Sequence, residues 1–238
     1  MKFRQLLCGM CFFGLSIGLT YADTPTLVVF TEVSPPYQYQ GGDRVEGIAT
    51  ERVRKIVERA GLNAEFKLFP WARAMLNVER SSRALIYSIA KTPEREDQFH
   101  WIAPVAKFNL SILTLANSNH IQLDSGLNLT GLSAAAQRDD IAETWLLSKG
   151  LEEGHNLLVC ADILCSWQQL KLGTVDFIIE DPVLIESTAN LAGLQASDFK
   201  VVQPIPELAV VAYLAANGNM DPKLVKRLQE AARELGYE

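Results

Sequence analysis

The residues best placed to do chemistry lie in one stretch, Ala84–Pro104, which reads ALIYSIAKTPEREDQFHWIAP. A short apolar run ends at Tyr87-Ser88, and the turn Thr92-Pro93-Glu94-Arg95 follows. A guanidinium offers a planar pair of donors that matches the two oxygens of a carboxylate, whereas lysine would supply charge without that fork. A strand that stops beside a hydroxyl and then presents a fixed arginine is a carboxylate-binding device. Arg95 also admits a plainer reading, a surface arginine paired with Glu94 or Glu96. Thr92-Pro93 has a structural role of its own, as N-cap and first residue of a short helix.

The surrounding pattern supplies elements able to position such a turn. Thr26–Phe30 predicts a strand, broken by SerProProTyr at 34–37. A helix starts near Ala49, with Val53, Ile56, Val57 and Ala60 on one face and Gly61 as its stop. Ala64, Phe66 and Leu68 alternate as a strand does. Trp71–Glu79 reads as a helix and Ala84–Ser88 as a third strand. This β-α-β-α-β order favours a parallel sheet with crossover helices.

A similar pattern follows with different residues. Strands are expected at Leu110–Ala116, Ser133–Ala136, Leu157–Val159, Val175–Ile179 and Leu208–Ala215. Helices are expected at Asp140–Lys149, Leu164–Leu172, Pro182–Leu191 and Pro222–Leu235. Two α/β units fit the length better than one continuous sheet, with crossings at Lys107–Asn109 and Pro204–Glu207.

Composition narrows the function. Lys2 and Arg4, the apolar run Leu6–Leu19 and the exit Thr20-Tyr21-Ala22 have the order of a cleaved secretory signal. The run is shorter than the roughly 20 residues of a membrane-spanning helix. Residues 1–22 are therefore set apart from the fold. The formal net charge of −6 becomes more negative without Lys2 and Arg4. That balance argues against nucleic-acid binding, which needs a basic footprint. Beyond the leader remain Cys160 and Cys165, close enough in sequence for a small-loop disulfide or for two reduced, buried thiols. With His100, His120 and His155 scattered and no second cysteine pair, neither a metal site nor a cofactor is expected.

Taken in order, several motifs resemble the bacterial periplasmic solute-binding proteins of family 3, the polar amino-acid type that serves ABC transporters. They are SerProProTyr (34–37), Gly47 at the first helix, Thr92-Pro93-Glu94-Arg95, and Gly173-x-Val175-Asp176 leading to Asp181. PheProTrpAlaArg (69–73) and PheHisTrpIleAlaPro (99–104) are similar to a short-chain branch of that family. The resemblance implies a type II periplasmic-binding-protein fold, α/β, in which two lobes with mixed central sheets are joined by a two-crossing hinge. Residues 23–107 with 206–238 would form lobe 1, and 108–205 lobe 2.

The resemblance also implies roles. Arg95 would grip a ligand α-carboxylate, with Ser88 hydrogen-bonding the same group. Ala90 stands where many amino-acid binders have another hydroxyl, which leaves only backbone contacts there. Asp181 would take the ligand's ammonium, although Asp-Pro is equally an N-cap, as at Asp221-Pro222. Tyr37 and Trp71 are either aromatic walls of the cleft or core. Glu32 follows the first strand and would add negative charge. Arg73 either meets ligand or caps its helix. Arg138 sits in the loop Gln137-Arg138-Asp139-Asp140, where the family commonly carries arginine, glycine and a hydroxyl.

The expected partners are an amino acid-like small molecule and an ABC permease, with the chain acting as a periplasmic monomer. Two rivals stand beside this reading. One is a periplasmic cyclohexadienyl or arogenate dehydratase-like enzyme on the same fold, with Glu32, Glu180 or Asp181 as its acid. The other is a soluble ligand sensor that works with a membrane receptor.

Overall fold

The computed structural model describes residues 26–121, 123 and 126–238; the leader segment 1–22 lies outside them. Strands β1 (Leu27–Thr31), β4 (Ala64–Leu68) and β5 (Ala84–Ala90) run parallel in the first lobe. They alternate with helices α1 (Ile48–Arg59) and α2 (Trp71–Glu79), after a small hairpin of β2 (Tyr39–Gly41) and β3 (Arg44–Glu46). The second lobe repeats the scheme. Its parallel strands are β7 (Ala134–Gln137), β8 (Leu157–Cys160) and β9 (Phe177–Glu180). Its helices are α3 (Ile141–Ser148), α4 (Ile163–Leu172) and α5 (Ile185–Leu191).

Two long strands join the lobes. β6 (Phe99–Leu115) and β10 (Phe199–Asn217) pair antiparallel along their length, and α6 (Pro222–Glu234) returns to pack beside α1. The result is one mixed sheet of eight strands, ordered β4-β1-β5-β10-β6-β9-β7-β8. The sequence pattern predicts only the pieces 110–116 and 208–215 of these long strands. Pro104, Pro204 and Pro206 and the polar residues between them interrupt the apolar signal. The structure accommodates those prolines at irregularities, as strands must when a residue has no N–H to give. Between Pro204 and Ala209 the register with β6 slips.

Each lobe carries an apolar cluster on both faces of its half of the sheet. In the first, Val53, Ile56 and Val57 of α1 and Leu228 of α6 cover one face, and Ala74, Met75 and Val78 of α2 the other. In the second, Trp145 and Leu146 of α3 oppose Trp167 and Leu170 of α4. A fully buried aliphatic or aromatic side chain contributes roughly 1.5–3 kcal/mol over leaving it in water. Hydrogen bonds that cross between the lobes contribute only about 0.5–1.5 kcal/mol each. Each lobe is thus stabilised by clusters of its own, and each hydrogen bond between the lobes adds less than a buried core side chain does.

Local chemistry fixes the elements where the lobes meet. Gly47 sits at φ 124, and a Cβ there would lie 2.3 Å from the Tyr37 carbonyl oxygen, so the entry to α1 demands glycine. Asp140, Asp162 and Asp221 each accept a backbone N–H at the start of the helix they precede. Cys160, ending β8, is bonded to Cys165 in the first turn of α4, with Cα atoms 5.7 Å apart. That bond fastens a strand end to the helix that follows it.

Candidate functional site

In each lobe the parallel strands end at the crevice between the lobes. Glu32 follows β1, Ala90 ends β5, Gln137 ends β7 and Glu180 ends β9, and all four line one cavity. This is the position where open α/β sheets bind ligands, beyond the carboxyl ends of their strands. Trp71, Ser88 and Arg95 join from the first lobe, and Asp140, Ile163 and Thr188 from the second. The cavity holds about 70 Å³. A water needs about 10–15 Å³ by such a measure. The space therefore suits a compact solute rather than a peptide or an oligosaccharide.

The lobes are in contact around the cavity. The Asp139 carbonyl accepts both Trp71 Nε1 at 2.9 Å and Arg95 Nη2 at 2.7 Å. Ser187 Oγ donates to the Pro35 carbonyl at 2.6 Å on another side. Asp139 adopts φ 61, a left-handed conformation that aspartate tolerates better than most residues and glycine best. That explains how aspartate stands in a loop where the resemblance leads one to expect glycine.

Ser88 is brought to the site by a bulge. β5 does not stop at Ser88 but runs on to Ala90. The pairing with β10 shifts between Tyr213 and Leu214, opposite Ser88, which takes φ 61. Such an irregularity re-aims a side chain. Here Ser88 Oγ donates to Gln38 Oε1 at 2.9 Å.

The electrostatics are dominated by acids. Burial pushes the Glu32 carboxyl up to about 8, reinforced by Asp140 and Glu180 and opposed by Gln137 and Arg95. Burial raises Glu180 to about 7 against a stabilising N–H from Asp181, with Asp140 and Asp181 adding to the rise. Asp140 is raised by burial too, opposed by the Ile141 N–H and Arg95. Burial also lowers Arg95, while Asp140, Asp139, Glu94 and Glu32 hold its charge in place. Four polar atoms of lining residues have no hydrogen-bond partner among the described residues: Glu32 Oε2, Gln38 Nε2, Gln137 Oε1 and Thr188 Oγ1. Gln38, Gln137 and Thr188 are 0%, 5% and 1% exposed. Buried polar atoms are nearly always satisfied, so four around one cavity mark the place where a polar ligand completes them.

Of the residues expected to bind, the structure gathers Arg95, Ser88, Trp71, Glu32 and Ala90 around the cavity and sets four elsewhere. Asp181 does not line it. Its Oδ2 accepts the Asn109 N–H at 2.8 Å and its Oδ1 the Val183 N–H at 3.0 Å, so both oxygens serve the chain itself. Tyr37 donates to the Lys107 carbonyl at 3.4 Å and packs edge-on against Phe108. Arg73 lies over the Phe69 ring, 4.4 Å from its centroid. Arg138 is exposed and pairs with Glu153 at 2.8 Å. Gln38, Gln137, Asp140 and Thr188 are among the lining residues that sequence reasoning did not select as ligand contacts. Asking which residue closes each parallel strand would have found Gln137, but nothing in the sequence singles out Gln38 or Thr188.

Residues 27–236 match the family of bacterial extracellular solute-binding proteins, family 3. The chain belongs to that family. Among solved structures it is similar to an ancestral arginine-binding protein bound to arginine, at 18% identity and TM-score 0.75, covering 89% of this chain and 92% of that one. ArtJ, the arginine-, lysine-, histidine-binding protein from Geobacillus stearothermophilus, gives 18% identity, TM-score 0.75 and 89% coverage of both chains. A histidine kinase sensor domain with similarity to periplasmic binding proteins gives 21% identity and TM-score 0.73, covering 89% and 91%. These likenesses establish the type II periplasmic-binding-protein fold. No curated protein matches the sequence.

Proposed function

We propose that this solute-binding protein captures an amino acid-like solute between its lobes in the periplasm and delivers it to the permease of an ABC importer, without catalysis. The observation that carries the reading is the meeting, at the carboxyl ends of strands from both lobes, of one guanidinium, three carboxyls and four unpartnered polar atoms. Arg95 takes the carboxylate of the solute, Ser88 and Gln38 steady it, and Trp71 forms a wall. Closure is favoured because the solute interacts better with two lobes than with one. Lobe 1 (23–107 with 206–238) and lobe 2 (108–205) pivot about Lys107–Asn109 and Pro204–Glu207, a crossing that includes the register slip in β10. Residues 1–22 direct export and are removed, and the mature chain acts as a monomer.

The test is a thermal-shift screen of the mature protein against amino acids, small carboxylates and polyamines, repeated with Arg95→Ala. Charge-assisted hydrogen bonds contribute about 1.5–3 kcal/mol, so the variant should bind the true ligand roughly ten- to hundredfold more weakly. An undiminished shift in the variant sinks the assignment. A second reading, acid catalysis of the dehydratase kind, is favoured by one observation: Glu180, raised to about 7, is about half protonated at neutral pH. Phenylpyruvate from prephenate, or phenylalanine from arogenate, would establish it, and the absence of both products would leave capture standing.

A further inference from the structure

The cleft is unbalanced in its ionisable groups. Glu32, Asp140 and Glu180 reach it from β1, the cap of α3 and the end of β9, and Arg95 is the cation among its lining residues. Asp139 and Glu94 lie near Arg95, and Asp181 lies near Glu180, so the groups just outside the lining add further negative charge. A zwitterionic solute with one carboxylate and one ammonium would leave most of these acids without a cationic partner.

The unpartnered atoms point the same way. Glu32 Oε2 and Gln137 Oε1 are acceptors, and Thr188 Oγ1 can accept as well. They call for a donor-rich group with several N–H bonds. Gln38 Nε2 is a donor, held beside Ser88 by its own Oε1, and it suits a solute oxygen.

We propose that Glu32, Asp140 and Glu180, with Gln137 and Thr188, form a seat for an alkylammonium or guanidinium group, so that the solute carries net positive charge and expels protons from this seat as it binds. The proposal rests on the capture reading above and names its substrate class. Before binding, burial and mutual repulsion disfavour the ionised forms, so that Glu32 holds a proton at neutral pH and Glu180 does so part of the time, while Asp140 is shifted in the same direction. The arriving cation reverses that preference. Each O–H bond released leaves its electron pair on a carboxylate facing N–H donors, and the proton passes to solvent. Loading is therefore strongest where the carboxyls ionise readily and weakens on acidification.

The experiment measures binding of L-lysine, L-arginine, L-ornithine and putrescine to the mature protein, with L-norleucine, L-glutamine and L-glutamate as neutral and acidic counterparts. Thermal shift at pH 5.5 and 7.5 is followed by calorimetry in buffers of different ionisation enthalpy. At least one cation should bind, with release of about one proton and a Kd tightening about tenfold per pH unit below pH 7. Glu32→Gln and Glu180→Gln, checked for native circular dichroism, should flatten that slope. A cation whose Kd is the same at both pH values, or no shift from any cation, overturns the proposal. If L-norleucine, L-glutamine or L-glutamate binds instead and loses affinity in Arg95→Ala, this proposal fails while the capture reading survives. If no solute of any class shifts the protein, both fall.

Discussion

Glu32 offers a direct way to ask whether the closed arrangement of the lobes is tied to protonation. In the structure its carboxyl titrates at about 8 instead of the ordinary 4.5. A carboxyl raised by closure binds its proton more tightly in the closed state than in an open, hydrated one. Closure is thus fully supported below about pH 4.5, and the support fades as pH rises through about 8. Between pH 5 and pH 7 the change spans two pH units, about 2.7 kcal/mol at 1.36 kcal/mol per unit. Glu32 is only half-buried by its exposed area, and halving the effect for water that screens it leaves about 1.4 kcal/mol. The closed-to-open ratio of the protein without added solute should then fall about tenfold over that interval. Glu180, raised to about 7, acts in the same direction. Small-angle scattering, or the distance between a label on each lobe, reads this ratio directly. Glu32→Gln keeps the shape and cannot ionise, so its profile should be markedly flatter. A wild-type radius of gyration that is the same at pH 5 and pH 7, or identical slopes in both proteins, refutes the reasoning.

Two further outcomes concern stability. Opening the Cys160–Cys165 bond, by reductant or by replacing both cysteines with serine, releases a short loop of sequence separation 5. Loop-closure entropy assigns that constraint about 2 kcal/mol. Melting should therefore fall by about 4–8 °C for a domain of this size, and a change below about 1 °C in a calorimetric scan would count against the bond. Asp181→Ala takes the acceptor from the part-buried Asn109 N–H and removes the cap from the turn at Pro182–Leu184. It should cost about 1–3 kcal/mol in urea unfolding; unchanged stability with lost solute binding would instead return Asp181 to the ligand.

How far the sequence could be read depended on whether the signal was local. The apolar faces of α1, α2 and α6 are periodic within one segment, and the Asp-Pro caps need only two neighbouring residues, so these were legible. Arg95, Ser88 and Trp71 were legible as well, since they sit at turns and element ends with marked chemistry. The long strands β6 and β10 were not, because each is stabilised by pairing with the other, and each carries prolines that normally argue against a strand. Asp181 shows the limit most clearly. β9 ends at Glu180, which lines the cavity together with Ile179. One residue further on, Asp181 gives its oxygens to the Asn109 and Val183 N–H groups instead. The acidic seat is less readable still: positions 32, 140 and 180 share no spacing. They meet because parallel strands from two lobes all end at one crevice, so the decisive charge arrangement is a property of topology. An acid placed directly after a parallel strand, or at the cap of the helix that follows, is the signal to look for in related chains. Where three such positions are acidic and only one lining residue is basic, the proposed cationic solute is the one able to draw the acids into their ionised forms.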